Sequence, residues 1–305
     1  MEDRLHKFAR LVDAGSFTKA AELMHISQPA LTAAIQKLER ELRAELLIRG
    51  KREFRLTTAG SMAYETAKQL QIEAQNLRQR LADAEGQKTT LRLGMIDSVA
   101  DMMFVHNDKL RKLEKSTQLS LAIDNSDRLI KSIEHDDLDV AFIASPSSLP
   151  QSLMSINLGQ EPLVLVTHAS HTEQVQKEIQ QGCLRNFLGY NQNSHTYRLV
   201  NQHLAGQGIS TQHRFYSTSP SIMLELILSK RGTAALPYLL VKPHIHGGKL
   251  ALVQMPNGPV IARHIVSLHR AGRQLPGEVN ALLADAQQQL TKLMQQAKNL
   301  ALVDQ

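Results

Sequence analysis

A single cysteine, Cys183, stands among 305 residues, and tryptophan is absent. One thiol excludes an internal disulfide framework, a two-cysteine redox switch and any multi-cysteine zinc site. No apolar run approaches the roughly 18 residues needed to cross a bilayer, so no membrane partner is expected. The opening segment MEDRLHKFARLVDAG is charged and amphipathic, unlike a secretory signal. A cytoplasmic protein is the expectation. The sequence also lacks a G-x-S-x-G elbow, a G-x-x-x-x-G-K-[ST] loop, a G-x-G-x-x-G after a strand and an HExxH helix. No enzyme, cofactor or resident metal is therefore expected. Cys183 lies between Gly182 and Leu184 with no signal of thiolate activation, and reads as buried and inert.

Hydrophobic residues at 42% and charged residues at 21% are ordinary globular usage, and the length suits about two domains. The formal charge of +6 is compatible with a nucleic-acid partner but is weak evidence alone. Its distribution adds a little. Residues 1–60 hold eleven Lys and Arg against eight Asp and Glu, with a cluster at Arg49, Lys51, Arg52 and Arg55.

Leu5, Phe8, Ala9 and Val12 fall at i, i+3, i+4 and i+7, one face of a helix over 2–14. Gly15-Ser16 stops it, and Ser16 or Thr18 can cap a short second helix running to Met24. After a brief turn at His25-Ile26, Ser27 caps a third helix with Pro29 in its first turn. Leu31, Ala34, Ile35, Leu38 and Leu42 form its inward stripe. Gln28, Thr32, Ala33, Gln36 and Lys37 form the other face. Two short apolar runs flanking Gly50 and the basic cluster read as a β-hairpin over 46–57, with a loop nearly as well supported by the sequence alone. Three short helices with a tight turn before a capped third are a helix-turn-helix, and the third helix would present its first turns to base edges in the major groove. Gln28 and Gln36 can pair with adenine or reach a phosphate, and Thr32 offers a hydroxyl and a methyl. The hairpin would be a wing reaching the DNA backbone or the minor groove. The expected DNA-facing set is Thr18, Ser27, Gln28, Pro29, Thr32, Gln36 and Lys37, with Arg52 and Arg55 on the wing.

From Thr58 to Gly86 there is no proline. Ala63, Ala67, Leu70, Ala74, Leu77, Leu81 and Ala84 repeat with 4-3 spacing, an a/d seam that favours pairing with another chain over packing within one domain. Beyond Thr90 the pattern changes to strands alternating with helices. Strand patterns fall at Leu91–Met95, Gln118–Asp124, Val140–Ala144, Leu163–Thr167, Phe187–Tyr190, Arg214–Ser217, Ala234–Leu236 and Ile261–His269, followed by a final amphipathic helix from Val279 to Met294. This predicts an α/β domain with a largely parallel sheet. In such sheets ligands sit beyond the C-terminal strand ends. Small hydroxyl residues collect there, and Ser98, Ser145, Ser194, Thr218 and Ser219 are the expected effector contacts. Helix starts after Ser98 and Ser219 favour an anionic group, although Asp97 beside Ser98 would repel one if it points inward. His195 lies beside Ser194, and His168 and His171 lie near a strand end. The pair His244 and His246 has no Cys or carboxylate nearby in sequence and reads as surface histidines.

The stretch GSFTKAAELMHISQPALTAAIQKLERELRAELLIRGKREFRLTTAG, residues 15–60, resembles the N-terminal domain of LysR-type transcriptional regulators. Gly15-Ser16-Phe17, Ala20-Ala21, Ser27-Gln28-Pro29-Ala30, Leu38-Glu39 and Arg55-Leu56-Thr57 with Ala59-Gly60 occur in the family's order. Thr32 replaces its usual second serine. Farther on, the likeness is looser: Asp137-Leu138-Asp139-Val140-Ala141-Phe142 and Gly232 to Pro237 resemble two of its segments, while Leu47 and Thr172 depart from it.

The resemblance implies an α+β multidomain chain. A winged helix-turn-helix would occupy 1–58 and a dimerising linker helix 59–90. A two-lobed domain like a type 2 periplasmic binding protein would span 91–305, with lobe I at 91–165 and 268–305 and lobe II at 166–267. It implies double-stranded operator or promoter DNA, a small-molecule effector between the lobes (a small organic anion is expected), a dimer of dimers, and RNA polymerase as partners. The rival is a solute-binding module whose helical N-terminus only dimerises.

Overall fold

The structure is a computed structural model that describes residues 1–50, 54–85, 90–105, 113, 117–146 and 148–303. The chain divides into two compact units, residues 1–87 with 272–274, and residues 88–271 with 275–305.

In the first unit, α1 (Glu2–Ala14) ends at Gly15, whose φ of 67° lets its N–H reach back to the carbonyls of Leu11 and Val12. Helix α2 (Phe17–Leu23) begins one residue after Ser16. Thr18 therefore sits inside its first turn and does not cap it. The turn into α3 (Gln28–Leu42) is closed by Ile26 N–H donating to the Ala21 carbonyl at 3.0 Å, with His25 left-handed at φ 53°. Ser27 Oγ accepts from Ala30 N at 3.3 Å, the expected cap. Leu5, Phe8 and Leu11 pack with Leu31, Ile35 and Leu38 in one core. Leu42 is exposed rather than part of that stripe, because α3 has by then outrun the core and ends at Arg43.

Strands β1 (Leu47–Arg49) and β2 (Phe54–Leu56) pair antiparallel, as the hairpin reading expects. Glu39 Oε1 holds this wing to α3 by accepting from Leu46 N and Leu47 N at 2.9 and 3.3 Å. Helix α4 (Thr58–Glu85) follows. A Cβ on Gly60 would lie 2.0 Å from the Leu46 carbonyl oxygen, so glycine lets α4 press against the wing. Farther along, Asp13 of α1 accepts from Tyr64 Oη and Lys68 Nζ of α4, both at 2.7 Å, in a buried ion pair.

The second unit is built on one sheet, whose elements run in order β3 (Thr90–Met95), α5 (Asp97–Val105), β4 (Gln118–Ile123), α6 (Ser126–Glu134), β5 (Val140–Ala144), β6 (Leu153–His168), α7 (Thr172–Gln180), β7 (Cys183–Tyr190), α8 (His195–Gly206), β8 (Ser210–Ser217), α9 (Pro220–Leu228), β9 (Thr233–Pro237), α10 (Tyr238–His246), β10 (Leu250–Leu252), β11 (Val260–Arg270) and α11 (Gly277–Val303). The strand order is β4-β3-β5-β11-β6-β9-β7-β8, with β10 on β6. The largely parallel sheet is corrected to a mixed one. Strands β3, β4 and β5 are mutually parallel, as are β7, β8 and β9, but β6 and β11 run antiparallel to each other and to β5 and β9. These two long strands join the halves, and their pairing shifts register between Ile265 and Val266. The lobe boundaries expected at 165/166 and 267/268 fall inside them. Cys183 is half-buried rather than buried, because it opens β7 immediately after the Gly182 turn. No described helix is long and apolar enough to cross a membrane.

Candidate functional site

On the first unit, Ser27, Gln28, Pro29, Gln36 and Lys37 of α3 are exposed together, with Thr18 of α2 beside them. Thr18 Oγ1 donates to Gln28 Oε1 at 3.4 Å, which steadies the glutamine and leaves its amide N–H groups as donors. Thr32 is half-buried and spends its hydroxyl on the Gln28 carbonyl at 3.0 Å, so its methyl is the group left to face a partner. Arg55 is exposed on β2. Arg52 lies outside the described residues.

The heptad seam divides. Ala63 and Ala67 are buried in the core that holds Phe8 and Leu31, so they are removed from the dimer set: α1 already covers that turn of α4. Leu70, Leu77 and Leu81 are 45%, 49% and 54% exposed, and Ala74 is half-buried. Ala84 belongs to the last turn of α4, and its side chain lies outside the described residues.

On the second unit a cavity of about 530 Å³ opens at the C-terminal ends of β3, β4, β7 and β8. Ser98, Ser194, Thr218 and Ser219 line it; Ser145 does not, the lining at the end of β5 stopping at Ala144, and the Ser145 N–H donates to the His264 carbonyl at 2.8 Å. Ser98 is not a cap either. Helix α5 begins at Asp97, and the Ser98 hydroxyl accepts from Arg263 Nη2 at 2.9 Å. Ser194 and Ser219 do cap α8 and α9, accepting from Tyr197 N at 3.1 Å and Ile222 N at 3.5 Å.

Arg263, a lining residue that sequence reasoning missed, organises the floor. It is buried on β11 and forms an ion pair with Glu161 of β6, with Nε at 2.9 Å, and Nη1 donates to Thr196 Oγ1 at 3.0 Å. The available signal was a lone arginine in the inward-facing apolar strand Ile261–His269, matched by Glu161 before Leu163–Thr167. Asp97 does face the cavity, as the objection to an anion requires, and it is joined there by Asp124 and Asp127, which sequence reasoning missed. Burial, with repulsion from Asp101 and Asp124, pushes the Asp97 carboxyl up. Burial likewise pushes the Tyr190 phenol up, and burial with Arg198 and Arg263 nearby pulls His195 down toward its neutral form. Tyr190 Oη and His195 Nδ1, both in lining residues, are buried without a hydrogen-bond partner. His168 and His171 lie elsewhere, and no metal-holding group of side chains occurs among the described residues.

The walls of the cavity differ in charge. Asp97, Asp124 and Asp127 come from the β3 and β4 side, where Arg128 partly offsets Asp124 at 3.4 Å. The β7 and β8 side contributes the starts of α8 and α9 and no carboxylate. Arg263 between them is already neutralised by Glu161. The expected simple anion therefore suits one wall only; the other would repel it.

Residues 3–61 match the family model described as the bacterial regulatory helix-turn-helix protein, lysR family, and residues 84–291 match the LysR substrate binding domain. The HTH-type transcriptional activator AaeR of Escherichia coli is 27% identical over 291 residues, covering 92% of this chain and 91% of that one. A full-length OxyR variant from Pseudomonas aeruginosa has a similar fold, with a TM-score of 0.63 at 22% identity over 94% of this chain and 97% of the other. Vibrio fischeri DarR in complex with DNA aligns with a TM-score of 0.52 at 20% identity over 94% and 99%.

Proposed function

Because the chain belongs to the LysR family of bacterial transcriptional regulators, with a helix-turn-helix DNA-binding domain and an effector-binding domain, we propose that α3 reads its operator through Gln28, Thr32, Gln36 and Lys37. In this reading Thr18, Ser27 and Pro29 sit against the backbone and Arg55 and Arg52 hold phosphates from the wing. The observation that carries it is the exposed first half of α3, with its cap engaged and its long polar side chains facing solvent. A regulator of this kind works where the chromosome is, in the cytoplasm, and one that activates acts on RNA polymerase.

The effector is a dipolar small molecule held in the 530 Å³ cavity. Its anionic end lies against the N-termini of α8 and α9, where free N–H groups and the helix dipoles favour negative charge. Its ammonium lies against Asp97 and Asp124. Tyr190 Oη and His195 Nδ1 gain the partners they lack. This reading divides the domain near the expected bounds, 91–165 with 268–305 and 166–267, the cavity lying between the halves. The test is calorimetric titration of the full chain with amino acids, the matching simple acids and the matching amines. Amino acids should bind tightest. Asp97→Asn should weaken the best of them roughly 10- to 100-fold, the worth of one charge-assisted hydrogen bond. The Asp97 carboxyl lies above its ordinary value and must be ionised to hold an ammonium, so affinity should fall as pH drops through that raised value, and Asp97→Asn should flatten the pH profile. Simple acids binding as tightly as amino acids, with Asp97→Asn improving them, would restore the anion.

The remaining seam residues Leu70, Ala74, Leu77 and Leu81 pair with the same stripe of a second copy, which supports a homodimer and, through the second unit, a dimer of dimers.

A further inference from the structure

A second, smaller cavity of about 70 Å³ lies in the same unit but away from the effector cavity, beside the paired residues Thr167 of β6 and Thr233 of β9. Four cationic side chains line it: Arg185 from β7, Arg214 from β8, and Lys230 and Arg231 after α9. None forms an ion pair with a described residue. The lone carboxylate in the lining, Glu178, has both oxygens engaged, accepting from Arg185 N at 2.8 Å and Gln174 Nε2 at 3.3 Å. Lys230 and Arg231 would complement the C-terminal dipole of α9 in any case. That account does not reach Arg185 and Arg214, which arrive from two separate strands. Arg185 is brought there by a bulge: the β7–β8 register breaks between Leu184 and Phe187, and Asn186 is left-handed at φ 50°. Thr167 also lines the cavity, and its fully buried Oγ1 has no hydrogen-bond partner. A buried hydroxyl without a partner is costly unless something meets it. At Gly232 a Cβ would fall 2.3 Å from the Asn186 carbonyl oxygen, so the lining backbone is closely drawn together.

We propose that this cavity is a site for a tetrahedral oxyanion of the phosphate class, distinct from the effector cavity, gripped by Arg185, Arg214, Lys230 and Arg231 and met at its floor by the Thr167 hydroxyl. The volume suits one phosphate group and not a whole metabolite. The anion is either free phosphate or the phosphate of a monoester whose remainder stays outside. An anion among like charges lining one small cavity offsets their mutual repulsion, so occupancy stabilises the junction of β6, β7 and β9.

The test is calorimetry and thermal unfolding of the full chain in chloride buffer, titrated with inorganic phosphate and, separately, with glycerol phosphate. Saturable phosphate binding tighter than about 1 mM is expected, with a rise in the midpoint of the second unit. Arg214→Gln with Arg231→Gln, both exposed and tolerant of change, should weaken it at least roughly tenfold. Thr167→Val keeps the shape, should raise the midpoint without phosphate, and should weaken phosphate several-fold. A monoester binding tighter than inorganic phosphate identifies a phosphorylated metabolite; equal or weaker binding identifies the free ion. Absence of saturable binding, or equal affinity in the double variant, overturns the site. Loss of operator affinity in the double variant without any phosphate binding overturns it in favour of a DNA contact.

Discussion

Glu161→Ala should destabilise the effector-binding unit by roughly 3–5 kcal/mol, the usual consequence of stranding a buried charge. Arg263 and Glu161 are only 5% and 6% exposed, and the other partners of Arg263, the hydroxyls of Ser98 and Thr196, are neutral. Without the carboxylate the guanidinium stays buried and uncompensated where β6 and β11 join the two halves of the sheet. For a unit of this size, a loss of that magnitude lowers the midpoint by roughly 6–20 °C. Calorimetric unfolding of the full chain, with its two units resolved as separate transitions, is the measurement. Replacing both partners, Glu161→Leu with Arg263→Met, should recover most of the stability, since well-packed apolar pairs commonly replace buried ion pairs at little cost. It should not recover the effector response, because Ser98 and Thr196 then lose the group that holds them. A midpoint unchanged in Glu161→Ala would mean that Arg263 finds water and that the pair does not anchor the cavity.

The second large effect concerns α4. Leu77→Glu with Leu81→Glu places two carboxylates on a stripe that is exposed in the single chain and dry in a paired helix. Light scattering should show the mass of the assembly fall. Operator affinity should drop roughly 10²- to 10⁴-fold, because two DNA-binding heads held together bind two half-sites with the gain of linked sites. Ala67→Glu is the instructive contrast. That position is buried against α1 in its own chain, so the change should unfold the first unit itself. Unchanged mass in the double leucine variant would place the dimer contact elsewhere.

These two cases mark how much the sequence carried. The third helix was legible because its signals are local: the Ser27 cap, Pro29 in the first turn, and apolar residues at helical spacing. The wing was half legible: two short apolar runs around Gly50 suit a hairpin or a loop almost equally, and only the pairing of β1 with β2 decides. The seam on α4 was half legible. Its 4-3 period is continuous from Ala63 to Ala84, but the period says only which residues share a face. That α1 covers the first two depends on Leu5 and Phe8, some sixty residues earlier, and on Asp13 gripping Tyr64 and Lys68. The first half of β6 was missed because Met154, Ser155 and Asn157 interrupt its apolar pattern; this stretch lies along β11, where pairing rather than burial of every second residue makes the strand. Arg263 escaped for a related reason. Its significance comes from Glu161, 102 residues away. Neither charge means much alone, yet a charge in an inward apolar strand always requires a partner. The acidic wall was only partly legible: Asp97 beside Ser98 already argued against an anion, but Asp124 and Asp127 join it at the cavity only through the pairing of β3 with β4.

The claim that the chain reads DNA through α3 is tested most directly by comparing Gln28→Ala and Arg55→Ala with the unaltered protein. Binding would be measured on an operator selected from a random-sequence library and on unselected DNA, over a range of salt. Gln28→Ala should cost about 1–3 kcal/mol on the selected operator and little on unselected DNA, because a base contact carries discrimination. Arg55→Ala should weaken both alike and reduce the salt slope by about one unit, because a phosphate contact carries none. If Gln28→Ala instead weakens both equally, or if no sequence is enriched from the library, α3 does not read bases and the account fails.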